Sequence, residues 1–344
     1  MRPIRRRWLL LGSLLAALLA AAGTIALAKI ERYPAKPTPV AVHAKLITAF
    51  DNRHPLRVRY GALEFRGGLE LTSKDKRFGG ISALHMDAGG NHFLALTDRG
   101  AWLKGRIVYR GGRPAGLAGV EMAPVLGADG KPLAAHGWYD TESLTEDDAG
   151  HAYVGIERVE KIVRFDLKAG LTARGRPIPT PPDFKTFSNN KSLECLAAVP
   201  KGSALAGQLI AVTEHSLDAA GNHRAFLLNG KQVGRFSVKR SDGFDVSDCA
   251  ILPPNDLLLL ERSYSPLSGV AMRIRRIPLA TIKPGALADG TPLIVADLAY
   301  QIDNMEGIGV SRDAHGSTIL TLVSDDNFSA LQRTLLLQFK LVEE

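Results

Sequence analysis

A strand, a turn and a second strand ending on an acid recur five times along this 344-residue chain. The segments read GGISALHMDAGGNHFLALTDRG, DTESLTEDDAGHAYVGIERVEKIVRFDL, KSLECLAAVPKGSALAGQLIAVTEHS, VSDCAILPPNDLLLLERSYS and DNMEGIGVSRDAHGSTILTLVSDDNF. Each opens on a polar residue, a small residue and an apolar one: Ser82-Ala83-Leu84, Glu142-Ser143-Leu144, Glu194-Cys195-Leu196, Asp248-Cys249-Ala250 and Glu306-Gly307-Ile308. Each returns through an apolar strand to an acid and a polar partner: Asp98-Arg99, Glu157-Arg158, Glu214-His215, Glu261-Arg262 and Asp325-Asp326. The openings lie 60, 52, 54 and 58 residues apart. That is slightly longer than the usual spacing of propeller blades, about 40–50 residues, and leaves room for long loops.

The returns, such as HFLALTD and QLIAVTE, alternate or are β-branched as strands should be. Third strands follow, among them KIVRFDL and RTLLLQFKL, and no segment carries a capped helical stripe. A repeating antiparallel sheet of this kind predicts an all-β fold, a β-propeller of five blades. Residues 56–72 supply strands without an opening of their own, so they are expected to complete the last blade and close the ring. Six blades would follow if residues 44–72 formed a blade without the acid.

The repeat has a consequence for charge. In a blade the innermost strand and its neighbour run antiparallel, so the start of one and the end of the other share a face. The opening acids Glu142, Glu194, Asp248 and Glu306 and the closing acids Asp98, Glu157, Glu214, Glu261 and Asp325 are expected at one mouth of the channel. Two carboxylates about 4 Å apart repel by about 4 kcal/mol at an effective dielectric of 20. Protonation, neighbouring Arg and His side chains, or a bound cation can offset that. Oxygen donors, with Asp326, Asn304 and Asn327 nearby, favour Ca²⁺ over zinc. Pairing of Glu with Arg between blades is the purely structural alternative.

Other residues read more simply. Asp87, Asp147, Asp148 and Asp313 sit in hairpin turns expected on the opposite face. His85, His92, His151 and His223 lack metal-ligand spacing and read as strand or turn residues. Cys195 and Cys249 could form one disulfide, which spacing alone does not decide; the crowded axis favours reading both as small buried residues. There is no Gly-x-Ser-x-Gly elbow, phosphate loop, His-Glu-x-x-His or dinucleotide fingerprint. Ser263 is the one serine near the ring worth testing as a nucleophile.

Composition adds two limits. At 45% hydrophobic and 23% charged, the chain has the makings of a real core. The net charge is +8, but Arg2, Arg5, Arg6 and Arg7 carry half of it ahead of the fold, and no basic-aromatic pattern points to nucleic acid. Trp8–Ala28 is an uncharged apolar run behind that basic stretch, ending on Ala26-Leu27-Ala28. Residues 1–28 therefore read as a secretory signal or an N-terminal membrane anchor, and Arg5-Arg6-Arg7-Trp8-Leu9 loosely resembles a twin-arginine signal. Either reading places the body in the periplasm or otherwise outside the cytoplasm. Residues 29–54 read as a linker and irregular lead-in, with Pro34, Pro37 and Pro39, and 55–344 as the propeller domain.

The series GGISAL, ESL, VGIER, LECLA, AVTEH, LLLLERSY, DNMEGIGV and LVSDDNF resembles the phytase-like family described as having esterase-like activity of phytase. The likeness covers roughly residues 60–342, with DNMEGI and SDDNF its most specific pieces. It implies an exported propeller akin to the calcium-dependent phytases, acting on phosphoesters through its recurring acids. Ser82 departs from the pattern and shifts the expected site to blades two to five. On this reading Ca²⁺ is held by Glu142, Glu194, Asp248, Glu306, Asp325 and Asp326, with Asp98, Glu214, Asn304 and Asn327 around them. Arg99, Arg158 and Arg262 bind phosphate oxygens, Glu157 or Glu261 is the general base and His215 the general acid. The expected partner is a small phosphorylated or ester substrate. The alternatives are a non-catalytic envelope scaffold and a calcium-dependent esterase or lactonase.

Overall fold

The computed structural model describes residues 36–187, 191–265 and 269–342. The signal or anchor expected over residues 1–28 lies outside them. Within this range the chain forms five sheets, antiparallel apart from the parallel pairing of Gln232–Val238 with Leu287–Ala288 at the outer edge of the third, each starting from an inner strand. The inner strands are Ile81–Met86, Thr141–Glu146, Leu193–Ala198, Asp245–Leu252 and Asn304–Arg312, and each packs on the next in a closed ring, the last against the first. The fold is a five-bladed β-propeller.

The ring closes as the unpaired N-terminal strands required. Leu63–Ser73 pairs antiparallel with the C-terminal strand Thr334–Leu341, and Val42–Ile47 pairs with its outer side. Val42–Ile47 falls in the stretch read as lead-in. Its short apolar pattern is enough for an edge strand once a partner edge is open, and Thr38–Pro39 likewise adds to the outer edge of the first blade. Both ends of the domain are thus tied into blades.

Blades pack through apolar faces. Between the fourth and fifth blades Phe50, Phe65 and Phe339 stack with Leu258, Ile274 and Leu337, and between the first and second Trp102 meets Phe165 edge-on at 5.2 Å. Each fully buried side chain of this size contributes about 1.5–3 kcal/mol. At the axis space is short: a Cβ on Gly307 would stand 2.5 Å from Val323 and 3.0 Å from Leu84 of the next blade.

Cys195 and Cys249 are joined, with Cα atoms 5.1 Å apart, at a sequence separation of 54. The disulfide cross-links the inner strands of blades three and four. This overturns the reading of both as merely small buried residues: crowding at the axis brings neighbouring inner strands within bonding reach. The turn acids behave as expected. Asp87, Asp147 and Asp313 each accept backbone N–H groups two to five residues on, closing their own hairpins. Asp148 instead accepts the Lys201 N–H of the next blade.

Candidate functional site

The inner hairpins share one irregularity. In every blade the inner strand carries one extra residue opposite the return strand, a β-bulge, and the bulged residues are Ser82, Glu142, Glu194, Ser247 and Glu306. A bulge re-aims a side chain and bends the strand end, and such bulges gather beside functional sites. The pairing also fixes the positions beyond it. After Thr97, Ile156, Thr213, Glu261 and Ser324 come Asp98, Glu157, Glu214, Arg262 and Asp325. Facing these stand Gly80, Asp140, Ser192, Asp245 and Asn304.

Register corrects three expectations for blade four. Asp248 is not the bulged residue; Ser247 is, and Asp248 falls in the crowded row with Ala83, Ser143, Cys195 and Gly307. It is fully buried, Oδ2 accepts the Ile308 N–H at 2.7 Å, and Oδ1 has no partner among the described residues. Burial pushes its carboxyl well above the ordinary range, and it forms part of the channel wall. Glu261 is not a mouth residue either. It points into the blade, where Arg273 and Arg275 both grip it, with Nε–Oε2 distances of 2.7 and 2.8 Å. All three are nearly water-free. Glu261 is thus the anchor of a buried ion cluster and not a general base. The place held by an acid in the other four blades is held in blade four by Arg262.

Arg262 organises the mouth. Its Nη1 donates to Asn304 Oδ1 at 2.7 Å and to Glu306 Oε1, and its Nη2 to Glu214 Oε1 at 3.1 Å. Asn304 Nδ2 also donates to Glu306 Oε1, at 2.7 Å. Burial opposes the guanidinium charge, but Glu306, Glu194 and Glu214 outweigh it and hold Arg262 above its ordinary value.

The remaining acids act on one another at the mouth. Burial, then the charges of Glu306, Asp140 and Glu157, raises Glu142 well above the carboxylate range. Glu194 is raised in the same way by burial, Glu142, Glu157 and Glu214. Burial lifts Asp325 to about 9, with Glu306 and Asp98 adding to it. Asp98 reaches about 7 through burial, with Arg99 opposing and Glu306 and Asp140 adding. Glu157 also reaches about 7: burial raises it, and the Ser192 N–H donated to its Oε1 partly offsets that. Asp140 contributes to three of these shifts and was not picked out from sequence, although it stands just ahead of Thr141-Glu142.

Other expected residues lie at the rim with settled partners. Asp326 Oδ1 accepts the Gly80 and Phe328 N–H groups and Oδ2 the Thr334 hydroxyl, so it staples blade five to the entry of blade one. Asn327 is exposed at the turn, its N–H donated to Asp325. Arg99 lies 3.3 Å over the Phe328 ring, and Arg158 pairs with Asp140. His215 Nδ1 is 3.0 Å from Asp245, which also holds Arg240. Ser263 is opposite Ala271 on the outer side of its strand. The far end of the channel differs in kind. There a cavity of about 380 Å³ is lined by Leu84, Met86, Leu144, Ile251 and Val310, with His85 and Glu146 beside them.

The donor set was also expected to suit Ca²⁺. Among the described residues no three or more His, Cys, Asp or Glu side chains are disposed to hold a metal ion together. The oxygens of Glu214, Glu306 and Asn304 are turned to a guanidinium. The residues as placed do not form a calcium site.

Fold and site define a five-bladed propeller with bulged inner strands and a carboxyl-lined mouth. The chain belongs to the phytase-like family described by esterase-like activity of phytase, which it matches over residues 76–328. No curated protein matches it. Among solved structures it is similar to the N-terminal domain of Nup159, at 10% identity over 83% of this chain and 97% of that one, with a TM-score of 0.38. The WD40 repeats of RRP9 give 11%, 83%, 87% and 0.37 in the same order. A putative oxidoreductase (glucose dehydrogenase) from Thermus thermophilus gives 15%, 87%, 100% and 0.32. At such scores none bears on function.

Proposed function

We propose that this protein is an extracytoplasmic ester hydrolase, acting on phosphoesters ahead of carboxyl esters, with its site at the carboxyl-lined mouth. The observation that carries this reading is the common register. It sends acids from blades one, two, three and five and Arg262 from blade four to one opening, where burial raises Asp98 and Glu157 to about 7. Groups poised near the working pH are what proton transfer requires. Arg262, with 28% of its side chain open to solvent, binds the anionic oxygen of the ester.

Burial brings Glu157 and Asp98 both to about 7, so near neutrality each is about half protonated and molecules with Glu157 ionised and Asp98 protonated are present. Ionised Glu157 takes a proton from water as the water oxygen attacks phosphorus. Protonated Asp98 gives its proton to the leaving alkoxide as the ester P–O bond breaks. Export is supported by the Cys195–Cys249 disulfide, which persists in oxidising compartments.

The test is turnover of aryl phosphomonoesters, phosphodiesters and carboxyl esters by purified protein, across pH and with calcium or chelator. Phosphoester turnover lost in Glu157→Gln and Arg262→Gln is expected. Carboxyl-ester turnover alone would select the esterase or lactonase reading. No turnover of any ester would leave the mouth as a structural element of a binding propeller.

A further inference from the structure

We infer that Arg262 is the resident cation of this mouth: it fills the place a divalent metal would need and commits the opening to anionic ligands with no metal bound. Three facts carry this. Register puts Arg262 where the other blades carry Asp98, Glu157, Glu214 and Asp325, so blade four has a positive group in an acidic row. Its guanidinium is gripped by oxygens from the blades on both sides, Glu214 from blade three and Glu306 and Asn304 from blade five. Asn304 donates to the same Glu306 oxygen, so that oxygen is already shared between two donors.

The consequence is chemical. Two carboxylates and an amide oxygen around one point are what a hard cation takes as ligands. Here a side chain satisfies them, and it costs the protein no dependence on external calcium. A guanidinium differs from a metal in what it presents outward: planar N–H donors that fit phosphate or carboxylate and no open coordination position for water. The inference rests on the geometry of the mouth and not on hydrolysis, so absence of ester turnover leaves it standing.

Wild type, Arg262→Gln and Arg262→Lys should be compared by thermal melts in millimolar calcium and in chelator, with calorimetric titration of Ca²⁺ itself. Wild type and Arg262→Lys are expected to melt alike in both and to give no binding heat. Arg262→Gln should melt lower in chelator and recover by about 5 °C with calcium, binding a single Ca²⁺. Wild type that keeps calcium through dialysis, or melts lower in chelator, overturns the inference and needs no variant. So does an Arg262→Gln protein that does not respond to calcium, or that fails to fold even with calcium present.

Discussion

Blades three and four are built from similar words, LECLA with AVTEH and SDCAIL with LLLLERSY, yet they use their acids in opposite ways. In blade three Glu194 is the bulged residue and Glu214 follows the last paired position, so both reach the mouth. In blade four the corresponding residues are Ser247 and Arg262, and the acids Asp248 and Glu261 each sit one position to the interior side. A shift of one residue along a strand exchanges its faces. The same residue type therefore reaches the mouth in one blade and lies buried in the structure of the next.

The largest test of that contrast is Glu261→Gln. Glu261 is the shared carboxylate of Arg273 and Arg275, which are only 3% and 1% exposed. Removing one partner of a buried ion cluster typically costs about 3–5 kcal/mol. Denaturant unfolding should show a loss of that size, whereas Glu214→Gln, whose Arg262 keeps Glu306 and Asn304, should lose far less. Equal losses would mean that the two acids are not on different faces.

Next is the bond between the two blades. Replacing Cys195 and Cys249 by Ser releases a 54-residue loop in the unfolded chain and should cost about 4 kcal/mol in the chain-entropy account. Melting of the oxidised protein with and without reductant checks it. An unchanged midpoint would show that the inner strands of blades three and four are held by packing alone.

These two effects also explain what sequence could and could not disclose. The propeller, its closure by N-terminal strands and the convergence of Glu142, Glu194, Glu306, Asp98, Glu157, Glu214 and Asp325 follow from periodicity, because a recurring pattern averages over local ambiguity. Blade four defeats that reasoning. Leu257–Leu260 is a run of four leucines, all buried, so alternation cannot show which neighbour faces which side. Aligning by residue type then matched Glu261 to Glu214 and Asp248 to Glu194, while the ladder matches Arg262 and Ser247. Asp140 was missed because it faces Glu157 across the hairpin, a proximity set by pairing and not by any pattern along the chain.

The contrast can be sharpened at the mouth itself. Glu157→Gln should lower phosphoester kcat by about 100-fold, the usual scale for a proton-transfer group. Asp326→Asn, at the staple beside Gly80, should leave kcat unchanged and lower only the melting temperature. The reverse pattern would move the chemistry from blade two to the rim of blade five.

Proton linkage gives a smaller effect. Asp98, Glu157 and Asp325 have folded pKa values of about 7, 7 and 9 against ordinary values of 3.8, 4.5 and 3.8. Between these limits the folded chain binds more protons than the unfolded chain, so stability falls as pH rises. It is full below the ordinary values and is lost as pH climbs through about 7 and then 9. Melting should be lower near pH 8 than near pH 5. A melting temperature that rises over that window would mean the mouth acids are ionised and paired in the folded state.

The smallest expected effect is at His215, which follows Glu214 as Arg99 follows Asp98. Its ring reaches Asp245, but Arg240 already binds that carboxylate through Nε at 2.6 Å, and 36% of the His215 side chain is exposed. An exposed pair whose acid has a second partner contributes about 0–1 kcal/mol. His215→Ala should therefore keep kcat within about twofold and shift the melting temperature by a degree or two. If kcat collapsed while the melting temperature held, the imidazole would belong to the reaction after all. The proton donor would then lie between blades three and four and not on blade one.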